Sequence, residues 1–561
     1  VITIDKTKTS KLQDYMDGLA SYMKSTEEYK KLVKQGSTAL FLSIGYKDSR
    51  ADVFMSDKKS YKHAWSHLYK QAERYVRQKD KEHKIECIKI DWVSDTAEYS
   101  IPEFIQEMTN TKKNYFRKGI SLGSSFEYAF LEQEINGNSF IKIDKHNNRG
   151  YLDEANIQAY IQKHRPSLKE IDFKLVDKII VFSTKGFFFD GKAGYRLWDD
   201  ELNNGRRKTE LDAAELKRLI SGGQKYLTEL SGDDGRFTYG YFSCFDKEIK
   251  FYNMLRHAST IYSMIESYEL FAGEELAAAI KRGLAYLVEK KLYIDGDTAY
   301  LIDGVQEDKL EIKLGGNAAA ILAMTKYAEV FDDFSYLPHA QKLAQGILNL
   351  QLENGEFMHV LHYPSLQVKE RFRIIYYDGE AAFALMRLYR LDKQQKWIDA
   401  VEKAFDHFIE KDYWKNHDHW LSYCTNELTA YKPERRYFEF GLKNVSDKLD
   451  FIYHRNTTFP TFLELTLATS KMIDRLKETG HSDLLDSFDE EKLENTIHKR
   501  AEYQRNGHFY PELAMYCKNP GRILGSFFIR HHSFRARIDD IEHYLSGYCA
   551  YYQRYAGAKQ S

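Results

Sequence analysis

"LQLENGEF", residues 350–357, is the stretch on which the reading of the fold turns. It closes an apolar-periodic run, "YLPHAQKLAQGILNLQLE" (336–353), and breaks it with Asn354-Gly355. Asn-Gly supplies the positive φ of a tight turn, and Phe357 behind it can anchor the loop on an apolar rim. The same Gly-x-Phe pattern stands in "DDGRFTYG" (Gly235, Phe237) and "RNGHFYPE" (Gly507, Phe509). Each follows a helical run and precedes a second helix with a polar start. His257 follows Gly235 at nearly the spacing at which Asp378 follows Gly355. Recurrence at this length signals a repeat architecture.

Working outward, twelve helical runs fill residues 208–561. Among them are "TELDAAELKRLISGGQKYLTEL", "NAAAILAMTKYAEVF", "QKWIDAVEKAFDHFIEKDYW" and "IDDIEHYLSGYCAYYQRY". Twelve runs make six hairpins, and helices alternating between an outer and an inner ring would close an (α/α)6 toroid. Residues 1–205 read differently. A charged helical lead (1–36) precedes "TALFLSIGY", "RADVFMS", "YKHAWSHLYKQAERYVRQ" and "IECIKIDWV", a ββαβ order over about 37–95. "SLGSSFEYAFLEQEINGN" predicts a short helix. "VDKIIVFSTKGFFFDGKAGYRLW" predicts a hairpin through Thr184-Lys185-Gly186. The fold class expected is α+β: a mixed α/β region, then a toroid.

Net charge is −1, which gives no global field for nucleic acid or a membrane surface. No apolar run approaches the length of a membrane span. The five cysteines are scattered, odd in number and without a CxxC pair. That argues against a disulfide framework or zinc cage and favours a reducing compartment. A cytoplasmic location is expected. A periplasmic or secreted one is expected instead if a signal preceded Val1 and was removed.

Helix pairs joined by "LQLENGEF"-type turns resemble the α/α-toroid proteins over about 208–561. That broad group includes six-hairpin glycosidases, polysaccharide lyases, sugar 2-epimerases, glucuronyl C5-epimerases and terpene cyclases. The resemblance is architectural and names no single family. It implies a cleft lined by the starts of the inner helices.

Those starts carry six polar-aromatic clusters: "YNMLRHAS", "IKLGGNAA", "YYDGEAA", "KNHDHWLSY", "HRNTTFPT" and "IRHHSFRARIDDIEH". Sugar chemistry uses a carboxylic acid to protonate a leaving oxygen and a second carboxylate to activate water or attack carbon. Asp378 and Asp540 lead that list, followed by Glu380, Asp418 and Asp539. His257, His419 and His532 are candidate proton shuttles. Tyr376, Tyr377 and Trp420 offer stacking surfaces, and Asn317 a polar contact. Arg256, Arg373, Arg455, Arg535 and Arg537 crowd the same loops. They match an anionic group, or else pair with neighbouring carboxylates and hold the loops. An Asp at a helix start is also an ordinary cap. "LGGN" (314–317) could cradle an anion but reads better as a close-packing glycine pair. His417/His419 and His531/His532 lack His-x3-His spacing, so no metal and no cofactor are expected.

The function expected is action on an oligo- or polysaccharide, anionic by the arginine count, by hydrolysis or by lyase- or epimerase-type proton transfer. The partner is then a carbohydrate substrate, with no nucleic acid and no membrane span. Two alternatives stand beside it: a non-catalytic glycan-binding component of envelope or polysaccharide biosynthesis, and a toroid that processes a terpenoid or peptide.

Overall fold

A computed structural model describes residues 6–36, 38–78, 84–144, 146–165, 167–200, 202–304, 306 and 309–557. Residues 1–5 of the expected helical lead lie outside these. The chain divides into two compact units. Unit 1 comprises residues 1–210, 241–247 and 506–536, and unit 2 the remainder.

Unit 1 is built on one antiparallel sheet. Its strands are β1 (Thr38–Tyr46), β2 (Asp52–Lys58), β3 (Ile85–Ser100), β4 (Gly119–Leu122), β5 (Ala129–Phe130), β6 (Lys178–Phe189) and β7 (Gly194–Arg196). The order is β2-β1-β3-β6-β4-β5, with β7 paired to β6. Alternation along "TALFLSIGY" explains its two faces. Leu40, Leu42 and Ile44 join the core under α1 (Lys6–Lys24), α2 (Glu27–Lys34) and α3 (Tyr61–Gln78). Phe41 belongs to an opposite core with Val53, Phe182 and Phe188. A third core gathers α4 (Ile101–Asn110) and α6 (Glu154–His164). The short helix expected within 121–138 is α5 (Glu132–Gly137).

The expected hairpin through Thr184-Lys185-Gly186 does not form. β6 runs unbroken through those residues, and the chain turns at Asp190–Ala193, where the Ala193 carbonyl accepts from the Asp190 N–H. Gly186 has a different reason: a Cβ there would lie 2.6 Å from Asp91 Oδ1 on the paired strand.

Unit 2 contains all twelve expected helices. They are α7 (Ala213–Leu230), α8 (Met254–Leu270), α9 (Glu274–Tyr286), α10 (Leu314–Phe331), α11 (Leu337–Leu350) and α12 (Tyr376–Asp392). They continue with α13 (Gln395–Glu410), α14 (His419–Leu428), α15 (Arg435–Ser446), α16 (Thr461–Glu478), α17 (Glu490–Gln504) and α18 (Ile538–Tyr555). The even-numbered helices form a closed ring. Each packs on the next, and α18 returns to α8. Each odd-numbered helix from α9 to α17 packs on the inner helix that precedes it, and α7 packs on α8. α7 backs α18 across the closure as well. This is an (α/α)6 toroid.

Composition explains which ring each helix joins. α10 is buried from Leu314 to Thr325 on every side, as a helix apolar all round must be. α13 buries one stripe, Trp397, Val401, Ala404, Phe405 and Phe408, and leaves its charged face outside.

Two of the Gly-x-Phe turns are structural copies. Gly235 and Gly355 have φ of 84° and 89°. A Cβ on either would strike a carbonyl of the next outer helix, Arg282 O at 2.1 Å or Lys403 O at 2.2 Å. Phe237 and Phe357 are buried and bridge back to Ser231 and Gln351. The third turn differs: Gly507 closes a short 3-10 helix and is not left-handed. Phe509 lies in a core of unit 1.

Candidate functional site

The N-terminal ends of five of the six inner helices line a cavity of about 270 Å³ in unit 2. Its wall includes Asn253, Arg256 and Ser259 at α8 and Tyr376, Tyr377 and Glu380 at α12. It also includes His419 and Trp420 at α14, Phe459 and Thr461 at α16, and Asp539, Glu542 and His543 at α18.

Two histidines meet here from different helices. The His419 and His543 rings stand 5.2 Å apart and nearly perpendicular. His543 Nδ1 lies 2.9 Å from Glu464 Oε2, and Tyr423 OH donates to the other oxygen of Glu464 at 3.0 Å. Burial alone would lower the His543 pKa, but Glu542 and Glu464 outweigh it and lift it to about 10. These two carboxylates favour the imidazolium form of His543. His419 is held by Asp418, with Oδ1 3.2 Å from Nδ1. The opposite nitrogen, Nε2, is buried and has no hydrogen-bond partner among the described residues.

The carboxyls form a graded set. Asp539 is ionically engaged by Arg256 Nε at 2.8 Å and by Arg537 NH2 at 2.7 Å. Glu542 accepts from Ser259 Oγ at 2.5 Å, and burial pushes it up to about 8. Glu380 is 5% exposed. Burial first, then the charges of Asp418 and Glu542, raise its pKa well above the carboxylate range. Gly315 at the start of α10 leaves the room its Oε2 occupies, since a Cβ there would come within 2.1 Å.

Of the residues singled out in the sequence, Arg256, Tyr376, Tyr377, Glu380, His419, Trp420 and Asp539 line the cavity. Asp418 lies directly behind it as the cap of α14, accepting from the Trp420 and Leu421 N–H groups. The others are placed elsewhere. Asp378 is fully buried and accepts from His359 Nε2 at 2.9 Å. The tautomer is fixed because the Arg373 N–H donates to His359 Nδ1. Asp378 thus ties α12 to the Gly355 turn and caps nothing. His257 is equally enclosed, between the Tyr252 hydroxyl and the Gly283 carbonyl, and burial pushes its pKa down to about 4. Asn317 clasps the backbone of Leu301 and Ala299.

The arginines are committed to partners. Arg373 pairs with Glu311 and Glu370, and Arg537 with Asp539 and Asp540. Arg455 bonds Thr457 and lies over Phe451 and Phe459. His532 and Arg535 belong to unit 1 and are not part of this wall.

Glu464, Glu542 and Ser259 were not singled out in the sequence. Asp539, Glu542 and His543 stand at i, i+3 and i+4, the spacing of a single helix face, and that signal was available.

One donor atom each of His419, Glu464 and His543 lies within 4.8 Å of the others, a spacing compatible with a metal ion. No linear motif encodes this trio, because the donors come from three helices. A cation there would have to replace the contact between His543 Nδ1 and Glu464 Oε2.

No protein-family model matches the chain, and no curated protein matches it. Among solved structures, a sugar epimerase from a ruminal bacterium matches at 13% identity and a TM-score of 0.46. That match covers 61% of this chain and 99% of the epimerase. The cellobiose 2-epimerase of Bacillus thermoamylovorans matches at 10% identity and TM-score 0.47, with 61% and 99% covered. A D-mannose isomerase matches at 12% identity and TM-score 0.46, with 60% and 96% covered. The toroid is established by the ring of helices itself.

Proposed function

We propose that unit 2 is a carbohydrate-active enzyme that moves a proton on a sugar, in an epimerase- or isomerase-type reaction. The observation that carries this reading is the histidine pair. His419 and His543 face one cavity from different helices. One ring presents an unpartnered nitrogen, the other a held proton. Such a pair suits removal of a proton from carbon beside a carbonyl and delivery of a proton to the other side of the intermediate. Asp418 orients His419, and Glu464 orients His543. Tyr376, Tyr377, Trp420 and Phe459 supply faces on which a sugar ring stacks. The cavity is near the small end of the range of about 300–1,000 Å³ usual for small-molecule sites, which favours a short sugar over a long chain.

Hydrolysis is less well supported. Glu380 could serve as an acid, but Asp539, the neighbouring carboxylate in the wall, is held by two arginines. Of the arginines that favoured an anionic substrate, Arg256, Arg373 and Arg537 stand against carboxylates.

The test is incubation with a panel of reducing sugars in D2O, read by mass spectrometry and NMR. Deuterium should appear at the carbon next to the carbonyl. His419→Asn and His543→Asn should each lower exchange by about 10²–10⁴-fold. Release of new reducing ends without exchange would replace this reading by a hydrolase. Binding without any turnover would replace it by a glycan-binding role.

A further inference from the structure

The charges around the cavity do not balance, and the imbalance concerns the ligand. Arg256 is occupied by Asp539 and by the Tyr239 hydroxyl at 2.7 Å. His543 is occupied by Glu464. What remains in the wall is Glu380 and Glu542. Glu542 has Ser259 Oγ on one oxygen, while His543 Nδ1 stands 3.9 Å from the other. Glu380 makes no hydrogen bond among the described residues, although it is 95% buried. A buried polar group left unpaired costs about 1–3 kcal/mol, more when it is charged.

We propose that the cavity selects a sugar bearing an amino group, with its ammonium set against Glu380 and Glu542. This rests on the carbohydrate reading above and adds the substrate class to it. An ammonium carries three N–H donors and a positive charge, so it satisfies an unpartnered carboxyl and relieves the repulsion between two of them. A hydroxyl offers one donor and no charge. A sugar carboxylate would add another negative group to a wall where Asp418, Glu464 and Asp539 already stand at or behind the surface.

Isothermal titration calorimetry at pH 7 with D-glucosamine, D-glucose, N-acetyl-D-glucosamine and D-glucuronate tests this. D-Glucosamine should bind about tenfold more tightly than either neutral sugar, with D-glucuronate weakest. Glu380→Gln, nearly isosteric, should remove the advantage of the amine, so that D-glucosamine and D-glucose bind that variant within about twofold of each other. Equal affinities for D-glucosamine and D-glucose overturn the proposal. So does preferred binding of D-glucuronate, or an amine preference that survives Glu380→Gln. Neutral-sugar binding with exchange in D2O but no amine preference overturns this inference alone. No binding by any of the four overturns it together with the carbohydrate reading.

Discussion

Gly315 and Gly316 are neighbours in the first turn of α10, and the structure gives them opposite fates on substitution by alanine. A Cβ on Gly315 would lie 2.1 Å from Glu380 Oε2, 2.6 Å from Tyr377 Cδ1 and 2.7 Å from Leu255 Cδ1. Ordinary contact is about 3.5–4.0 Å, so three side chains would have to retreat by about 1 Å or more. All three line the cavity. Overpacking of this kind costs about 1–3 kcal/mol. The alanine returns about 0.4–1 kcal/mol through the unfolded chain, so a net loss of about 0.5–2 kcal/mol is expected. On Gly316 the nearest atom is Leu301 Cδ2 at 3.5 Å, an ordinary contact. Gly316→Ala should therefore stabilise by about 0.5–1 kcal/mol. Urea denaturation followed by tryptophan fluorescence measures both, and calorimetry measures sugar affinity. Gly315→Ala should lower the midpoint and weaken binding, and Gly316→Ala should raise the midpoint and leave binding alone. If the two variants are equally stable and bind alike, the close approach of α10 to the cavity wall is wrong.

Three further outcomes follow from the same geometry. His543 keeps its proton below about 10, so exchange should fail as pH rises through that value. Glu464→Gln should bring this alkaline limb of the pH–rate profile toward neutrality. His257 is held neutral with a folded pKa of about 4, against an ordinary 6.5. Between these values the unfolded chain binds the extra proton, so His257 should withdraw up to about 3 kcal/mol of stability as pH falls from 6.5 to 4. Urea midpoints across that range should flatten in His257→Gln. Asp378→Ala should cost about 1–3 kcal/mol by orphaning the His359 Nε2–H, while Asp378→Asn, which keeps an acceptor, should cost less. Exchange per folded molecule should persist in both, and its loss in Asp378→Asn at unchanged stability would return Asp378 to the chemistry.

The toroid was legible because each of its rings writes a different pattern. Apolar residues on all sides of "NAAAILAMTKYA" and on one stripe of "QKWIDAVEKAFDHFIE" distinguish an inner from an outer helix without any structure. The turns were legible where glycine had a steric reason, as at Gly235 and Gly355. At Gly507 the same letters stand in a different conformation. β6 was misread for a related reason: Gly186 looks like a turn, but it makes space for Asp91 within a continuous strand.

The site was legible by position and not by direction. Helix starts point to the right rim, but the side that each residue faces depends on helix rotation, at about 100° per residue. Asp378 and Glu380 sit two residues apart and therefore on nearly opposite faces. One reaches outward to His359 and the other lines the cavity. "RIDDIEH" repeats the lesson, since Asp539, Glu542 and His543 share the cavity wall. The arginines need the same three-dimensional reading, because a ligand feels only the charge left after pairing. Arg256, Arg373 and Arg537 stand against carboxylates, whereas Glu380 Oε2 has no hydrogen-bond partner among the described residues. A sequence read in one dimension holds no record of partners.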